Sequence, residues 1–169
     1  MNIHNMDPTL DRLFRHMAWA NVCLFEQLAR VPVGSLALKA PNNDSSVASI
    51  AEHFVRSAGF YVTRLGGSIA PFDYVTPESS GDIVALAGVC AGFDGELRAQ
   101  AVQPDGIAEY VRDGKTIRRA RSTILGQSIH HATEHRAQIA GILSLHGVDD
   151  VDLDAIDLWG FGDAEGLGE

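Results

Sequence analysis

Apolar residues fall three and four positions apart over four long stretches of the chain, the period of helices that each bury one face. In the first stretch Leu10, Leu13, Phe14, Met17, Leu24, Phe25 and Leu28 form one stripe. Asp7 followed by Pro8 marks its start, an N-cap with proline at the first helical position, and it runs to about Arg30, before Pro32. The second stripe is Val47, Ile50, Phe54, Ala58, Tyr61 and Leu65; Ser45 or Ser46 can cap its start after the loop Pro41 to Ser45, and Gly66-Gly67 ends it. Ser68 to Ser80 reads as a loop punctuated by Pro71 and Pro77. The third helix is expected from about Asp82 to Gln103, with Ile83, Leu86, Ala87, Cys90 and Leu97 on one face; Gly88, Gly92 and Gly95 weaken it by about 1 kcal/mol each relative to alanine. The fourth is expected from about Ala120 to His146, closing on Gly147.

Between the third and fourth helices the pattern changes. Tyr110 to Ile117 holds Asp113-Gly114 between β-prone residues, which predicts a small hairpin. A short helical turn that packs back on the bundle is expected near Leu153 to Trp159, then a polar, glycine-rich, frayed tail from Gly160 to Glu169. The expected fold is all-α: a four-helix bundle spanning residues 1–169 as one domain, with the hairpin inserted before the last long helix.

Seven histidines stand in this frame, and helical geometry separates them. On the fourth helix, at about 100° per residue, His135 lies about 40° from His131, one turn later on the same face. Ile124 and Ile142 share that sector, and Ile139, Ala132, Leu143 and Leu125 extend it, so the pair projects from an edge of the apolar arc into the bundle. His130 falls near 260° on the same wheel, about opposite that arc. His146 lies further along the helix and is expected to cap its C-terminus. Histidines at i and i+4 can chelate one ion; they can equally be two hydrogen-bonded residues at a bundle edge. His53, on the second helix beside Ile50 and Ser57, also borders an apolar arc, where a lone histidine is usually a satisfied edge residue. Taken together, His53, His131 and His135 would supply three nitrogens from facing helices and leave a coordination position open for water or substrate. Such ligation suits zinc or nickel before other divalent ions. Glu134 flanks the pair and is a candidate for holding a ligand's tautomer; Glu52 points about 100° from His53. Asn21 and Asp94 are polar residues inside apolar stripes, each either lining a pocket or satisfied within the core. Trp19 points away from its helix's stripe, which suggests an interface, most simply with a second copy, with lipid-like or tail contacts as the alternative.

Composition and charge then narrow the partners. The 169 residues are 46% apolar and 21% charged, enough for a sizeable core without disulfide staples. Cys23 and Cys90 lack framework spacing and read as reduced thiols. Met1 to Pro8 carries no basic segment followed by an apolar one, and no run of about 18 apolar residues occurs, so neither a leader nor a membrane span is expected and the cytoplasm is the default compartment. A net charge of −9 argues against a nucleic-acid partner; Arg118, Arg119 and Arg121 form a local basic patch read as a solvated helix start.

The residues around the histidine pair also carry a resemblance. His131-Ala-Thr-Glu-His135-Arg136-Ala-Gln138-Ile139 resembles the H-x-x-x-H-R-x-Q-I motif of the DinB family of helical bundle proteins. Met17-Ala18-Trp19-Ala20-Asn21 is similar to that family's W-A-N pattern, Ile50-Ala-Glu-His53-Phe sits where it places a second-helix histidine, and Leu153 to Trp159 is similar to its ending. Ala137 departs from the glycine common there. The resemblance implies a four-helix bundle, often a homodimer, with a metal on three histidines, which carry over to His53, His131 and His135. Related bundles are thiol-dependent transferases or isomerases that use small thiols. The expectation is therefore a metal-dependent enzyme, with thiol-dependent S-transfer to small electrophiles as the leading reaction, a low-molecular-weight thiol as partner molecule and the metal lowering that thiol's pKa. Metal-activated hydrolysis, with Glu134 or Glu52 as base, is the second reading, and a non-catalytic dimeric metal-binding bundle the third.

Overall fold

The computed structural model describes residues 6–41 and 43–167. The leader reading at Met1 to Pro8 and the far end of the expected tail fall partly outside those residues, as does Asn42 of the Pro41 to Ser45 loop. Among the described residues the chain forms four long helices, one short one and a two-stranded ribbon: α1 (Pro8–Leu28), α2 (Val47–Arg64), α3 (Ser80–Ala101), β1 (Ile107–Arg112), β2 (Lys115–Ala120), α4 (Arg121–Leu145) and α5 (Leu158–Ala164), with 3-10 turns at Val33–Ala37 and Asp154–Ile156.

The helix starts follow from their caps. The Asp7 carboxylate accepts from the backbone N–H groups of Thr9 and Leu10 at 2.9 and 3.2 Å, Ser46 accepts from Ser49 at 3.1 Å, and Ser79 from Asp82 at 3.2 Å. At the hairpin, Asp113 and Gly114 both take positive φ, 52° and 72°, which a two-residue turn between right-twisted strands requires. The hairpin is longer than Tyr110 to Ile117, pairing from Ile107↔Ala120 to Arg112↔Lys115.

Around the bundle α1 packs on α3, α3 on α2, α2 on α4, and α4 on α1. The core between them holds Phe14, Leu24, Phe25, Phe54, Leu97 and Ile139, each buried. Phe25 stacks on Phe54 with ring centres 6.0 Å apart. Burying such a side chain contributes about 1.5–3 kcal/mol. The Tyr74 side chain of the loop between α2 and α3 lies close on α2 at Gly59, where a Cβ would stand 2.7 Å from its hydroxyl and would push that side chain aside.

Three expectations are corrected. The residues from Gly160 onward are not a frayed tail throughout: α5 continues to Ala164, capped by Asp157, and its Phe161 is buried. That helix covers Trp19, whose ring lies 5.5 Å from Phe161, while Glu165 pairs with Arg12 and Arg15. Trp19 thus points at its own chain's C-terminal helix, and the outward tryptophan is Trp159, 84% exposed. The basic patch is not simply solvated. Arg121 donates to the carbonyls of Leu65 and Gln100 at 2.8 and 3.1 Å, satisfying oxygens at the ends of α2 and α3, and Arg118 pairs across the ribbon with Glu109. No helix of the described residues is long and apolar enough to cross a membrane.

Candidate metal centre

α2 and α4 lie side by side, and the three expected histidines meet between them. The ligand-capable nitrogens of His53, His131 and His135 all lie within 4.8 Å of one another. Ring centres are 4.2 Å apart for His131–His135, 5.0 Å for His53–His135 and 5.4 Å for His53–His131. His135 is buried, His131 half-buried and His53 exposed, so the cluster opens toward solvent on the α2 side. His130 is exposed on the other side of α4. His146 caps α4, and its Nε2 lies 2.9 Å from the Lys39 carbonyl, which ties the helix end to the segment before α2.

The donor set fits a divalent ion. His131 Nε2 and His135 Nε2 are 3.0 Å apart. Two nitrogens about 2.0–2.1 Å from one tetrahedral zinc stand about 3.3 Å apart, so a small rotation of either ring seats an ion between them. The far side of His135 is held as a ligand's would be: Nδ1 is 2.7 Å from Gln138 Oε1. Because that oxygen only accepts, Nδ1 carries the proton and Nε2 presents its lone pair to the cluster. Burial, with the neighbouring imidazoles, pushes His131 down to about 4, and burial also lowers His53. Both are therefore neutral near pH 7, the form that binds metal. The Tyr61 ring stands edge-on to His131, centres 5.6 Å apart, and burial raises its hydroxyl pKa against a hydrogen bond with Gln127.

The other residues singled out by the sequence sit elsewhere. Glu134 is exposed and bonds none of the three histidines; the orienting role expected of it falls to Gln138, one turn beyond His135. Glu52 is buried, and both of its contacts go to Arg56, one from Nε at 2.7 Å and one from the second guanidinium nitrogen. Asn21 and Asp94 do not line the centre. Asn21 donates to Asp94 Oδ2 at 2.9 Å and accepts from Arg136 at 2.6 Å, and all three are buried. Arg136 also donates to Thr133 Oγ1 at 3.1 Å, and the Cys90 thiol faces Asp94 Oδ2 at 3.7 Å. Burial pushes Asp94 up to about 6 despite these bonds, and lowers Arg136 to about 10. Nothing in the sequence assigns Arg136 a role, although on the wheel it lies about 140° from His131, next to the apolar arc. Gln138 likewise stood inside the quoted motif with no role.

An apolar hollow of about 540 Å³, lined by Ala40, Ala137, Gly141, Ile142 and Leu145 among others, meets the centre only through Gln138.

The family model for the DinB family matches residues 1–160 of this chain. No curated protein and no solved structure matches it.

Proposed function

The chain belongs to the DinB family, and on that premise we propose that it is a metal-dependent enzyme whose divalent ion, zinc or nickel, is held by His53, His131 and His135. The observation that carries this reading is the set of three imidazole nitrogens within 4.8 Å, with no fourth histidine, cysteine or carboxylate joining them among the described residues. Three protein ligands leave a position for a substrate atom, the pattern of catalytic rather than structural sites. The leading reaction is S-transfer from a low-molecular-weight thiol to a small electrophile. A bound divalent ion would lower the thiol's pKa and present it as a thiolate. The sulfur attacks an electrophilic carbon, the new S–C bond forms as the leaving group departs with its electron pair, and the thiol proton passes to solvent. Gln138 fixes the His135 ring for this, and the exposed edge at His53 admits the reactants. Metal-activated hydrolysis is less well served, since Glu52 is tied to Arg56 and Glu134 bonds no ligand. Cys23 and Cys90 are free, in keeping with a reducing, cytoplasmic setting. A homodimer remains part of the proposal on resemblance alone, now that Trp19 is covered from within.

Elemental analysis tests the site. One ion per chain is expected in the unaltered protein and in His130→Ala, and none in His131→Ala or His135→Ala; full metal content in the last two would sink it. The reaction is tested by mixing the zinc- or nickel-loaded protein with glutathione and an activated aryl halide. A saturable thiol-dependent rate that disappears in His135→Ala is expected, and a rate equal to that of the free metal would defeat the transferase reading. Sedimentation of the same samples should return a two-chain mass.

A further inference from the structure

We infer that Arg64 anchors a carboxylate on the small thiol that binds at the histidine centre, an inference that rests on the thiol reading above. Arg64 lies in the last turn of α2, eleven residues after His53, hence within about 20° of the same helix face. Its guanidinium carbon is 5.0 Å from the centre of the Tyr110 ring, 5.8 Å from Phe60 and 6.0 Å from Tyr61. Tyr61 is the residue whose ring stands against His131, 5.6 Å between centres. A single aromatic ring thus separates this cation from a proposed metal ligand.

The company Arg64 keeps differs from that of the other arginines on α2 and α4. Arg56 is held by the Glu52 carboxylate, Arg121 by the Leu65 and Gln100 oxygens, and Arg136 by Asn21 and Thr133. Among the described residues Arg64 forms no ion pair and no side-chain hydrogen bond; rings alone hold it. A cation at a helix C-terminus would serve the helix dipole without any ring. Three rings do something further: they fix a long flexible side chain in advance. A guanidinium held by rings alone keeps its N–H donors unspent, in the fork geometry that fits a carboxylate. The nearest ring comes from the hairpin, which gives that insertion a role the bundle alone does not explain.

The spacing limits the ligand. A sulfur on an ion beside His131 and a carboxylate on Arg64 must bridge the width of the Tyr61 ring, roughly two to three residues of extended chain at about 3.3–3.6 Å each. A thiol whose carboxylate is attached two bonds from the sulfur-bearing carbon is too short. A thiol within a peptide-like molecule bearing a terminal carboxylate reaches.

The probes are glutathione, which carries distant carboxylates, and 2-mercaptoethanol, which carries none. Their binding to the zinc-loaded full chain is measured by calorimetry for the unaltered protein, Arg64→Gln and Tyr110→Leu. Glutarate binding to the metal-free protein is measured alongside. Arg64→Gln should weaken glutathione about 10- to 100-fold, the size of one charged hydrogen-bonded contact, and leave 2-mercaptoethanol within twofold. Tyr110→Leu should weaken glutathione less, in the same direction, and it carries the test if Arg64→Gln fails to fold. Equal effects on both thiols, or none, would overturn the anchor. Should neither thiol bind while glutarate binds in an Arg64-dependent way, the thiol reading fails and the anion site stands. Should 2-mercaptoethanol bind while glutathione and glutarate ignore Arg64, the anchor fails and the thiol reading stands.

Discussion

His135 and Arg136 are consecutive on α4 and project about 100° apart, so one helix serves two polar clusters of opposite design. Toward α2, His135 joins His53 and His131 in a group that is open to solvent on one side, with its nitrogens facing one another. Toward α1 and α3, Arg136 joins Asn21 and Asp94 in a chain that is buried throughout, with donors set against acceptors at 2.6–2.9 Å. The open cluster has converging ring nitrogens and an accessible edge, so it can hold an ion. The closed one has spent its hydrogen-bonding capacity inside the protein and can only hold three helices in register. Both are polar residues inside apolar stripes, and the difference between them is whether the polar atoms have partners of their own.

The largest effect should come from breaking the closed cluster. Arg136→Met removes the cation and leaves Asn21 and Asp94 buried without it. A loss of about 3–5 kcal/mol in unfolding free energy at pH 7 is expected from urea titration. Adding Asp94→Asn should recover part of that loss, because the stranded charge is gone and the two positions are coupled through Asn21. A loss under about 1 kcal/mol for Arg136→Met would mean the chain does not bind α4 to the other helices.

A smaller effect follows from the carboxyl of Asp94. Burial pushes its pKa up to about 6 in the fold, from an ordinary carboxyl value of 3.8. The folded protein therefore holds this proton more tightly than the unfolded chain does. Its contribution to stability is full at and below about pH 4 and is lost as pH rises through about 6, a change of the order of 2–3 kcal/mol. Asp94→Asn should remove this fall. The check is the difference in unfolding free energy between the two proteins at pH 4, 5, 6 and 7; a difference that stays constant would show that Asp94 titrates normally.

The same comparison explains what the sequence could reveal. Helix periodicity placed His131 and His135 on one face because an i, i+4 pair is a local property, and caps such as Asp7-Pro8 marked helix starts because they too are local. His53 needed more, since nothing within α2 says which face of α4 it will meet. Asn21 and Asp94 stood out as polar residues in apolar stripes, but that each satisfies the other is a relation between α1 and α3 that no wheel contains. Trp19 leaves its partner open for a similar reason, a second copy being the simplest reading and tail contacts the alternative. Its outward direction on α1 was read correctly, while the helix that covers it, α5, lies in a stretch whose glycines and acids read as tail. Glu134 attracted attention by charge, yet a helical residue adjacent to a histidine points away from it. Position i+3 shares the histidine's face, and there the chain has Gln138.

Gln138 also offers the finest division between the two designs. In the closed cluster, side-chain orientation and stability are one quantity, because removing a bond strands a buried partner. In the open cluster they should separate. Gln138 is exposed, so Gln138→Ala should change unfolding free energy by no more than about 0.5 kcal/mol. It also frees the His135 ring by removing the 2.7 Å bond at Nδ1, and loss of such an orienting partner lowers metal affinity about 10- to 100-fold. Gln138→Glu keeps an acceptor at that atom and should hold affinity near its original value. Competition with a chromophoric zinc chelator measures all three proteins. If Gln138→Ala binds zinc as tightly as the unaltered chain, then His135 is aimed by packing, with the Phe54 ring 6.3 Å away as one such restraint. The centre would then resemble the closed cluster more than its open edge suggests, since the same packing that fixes the core would be fixing the ligand.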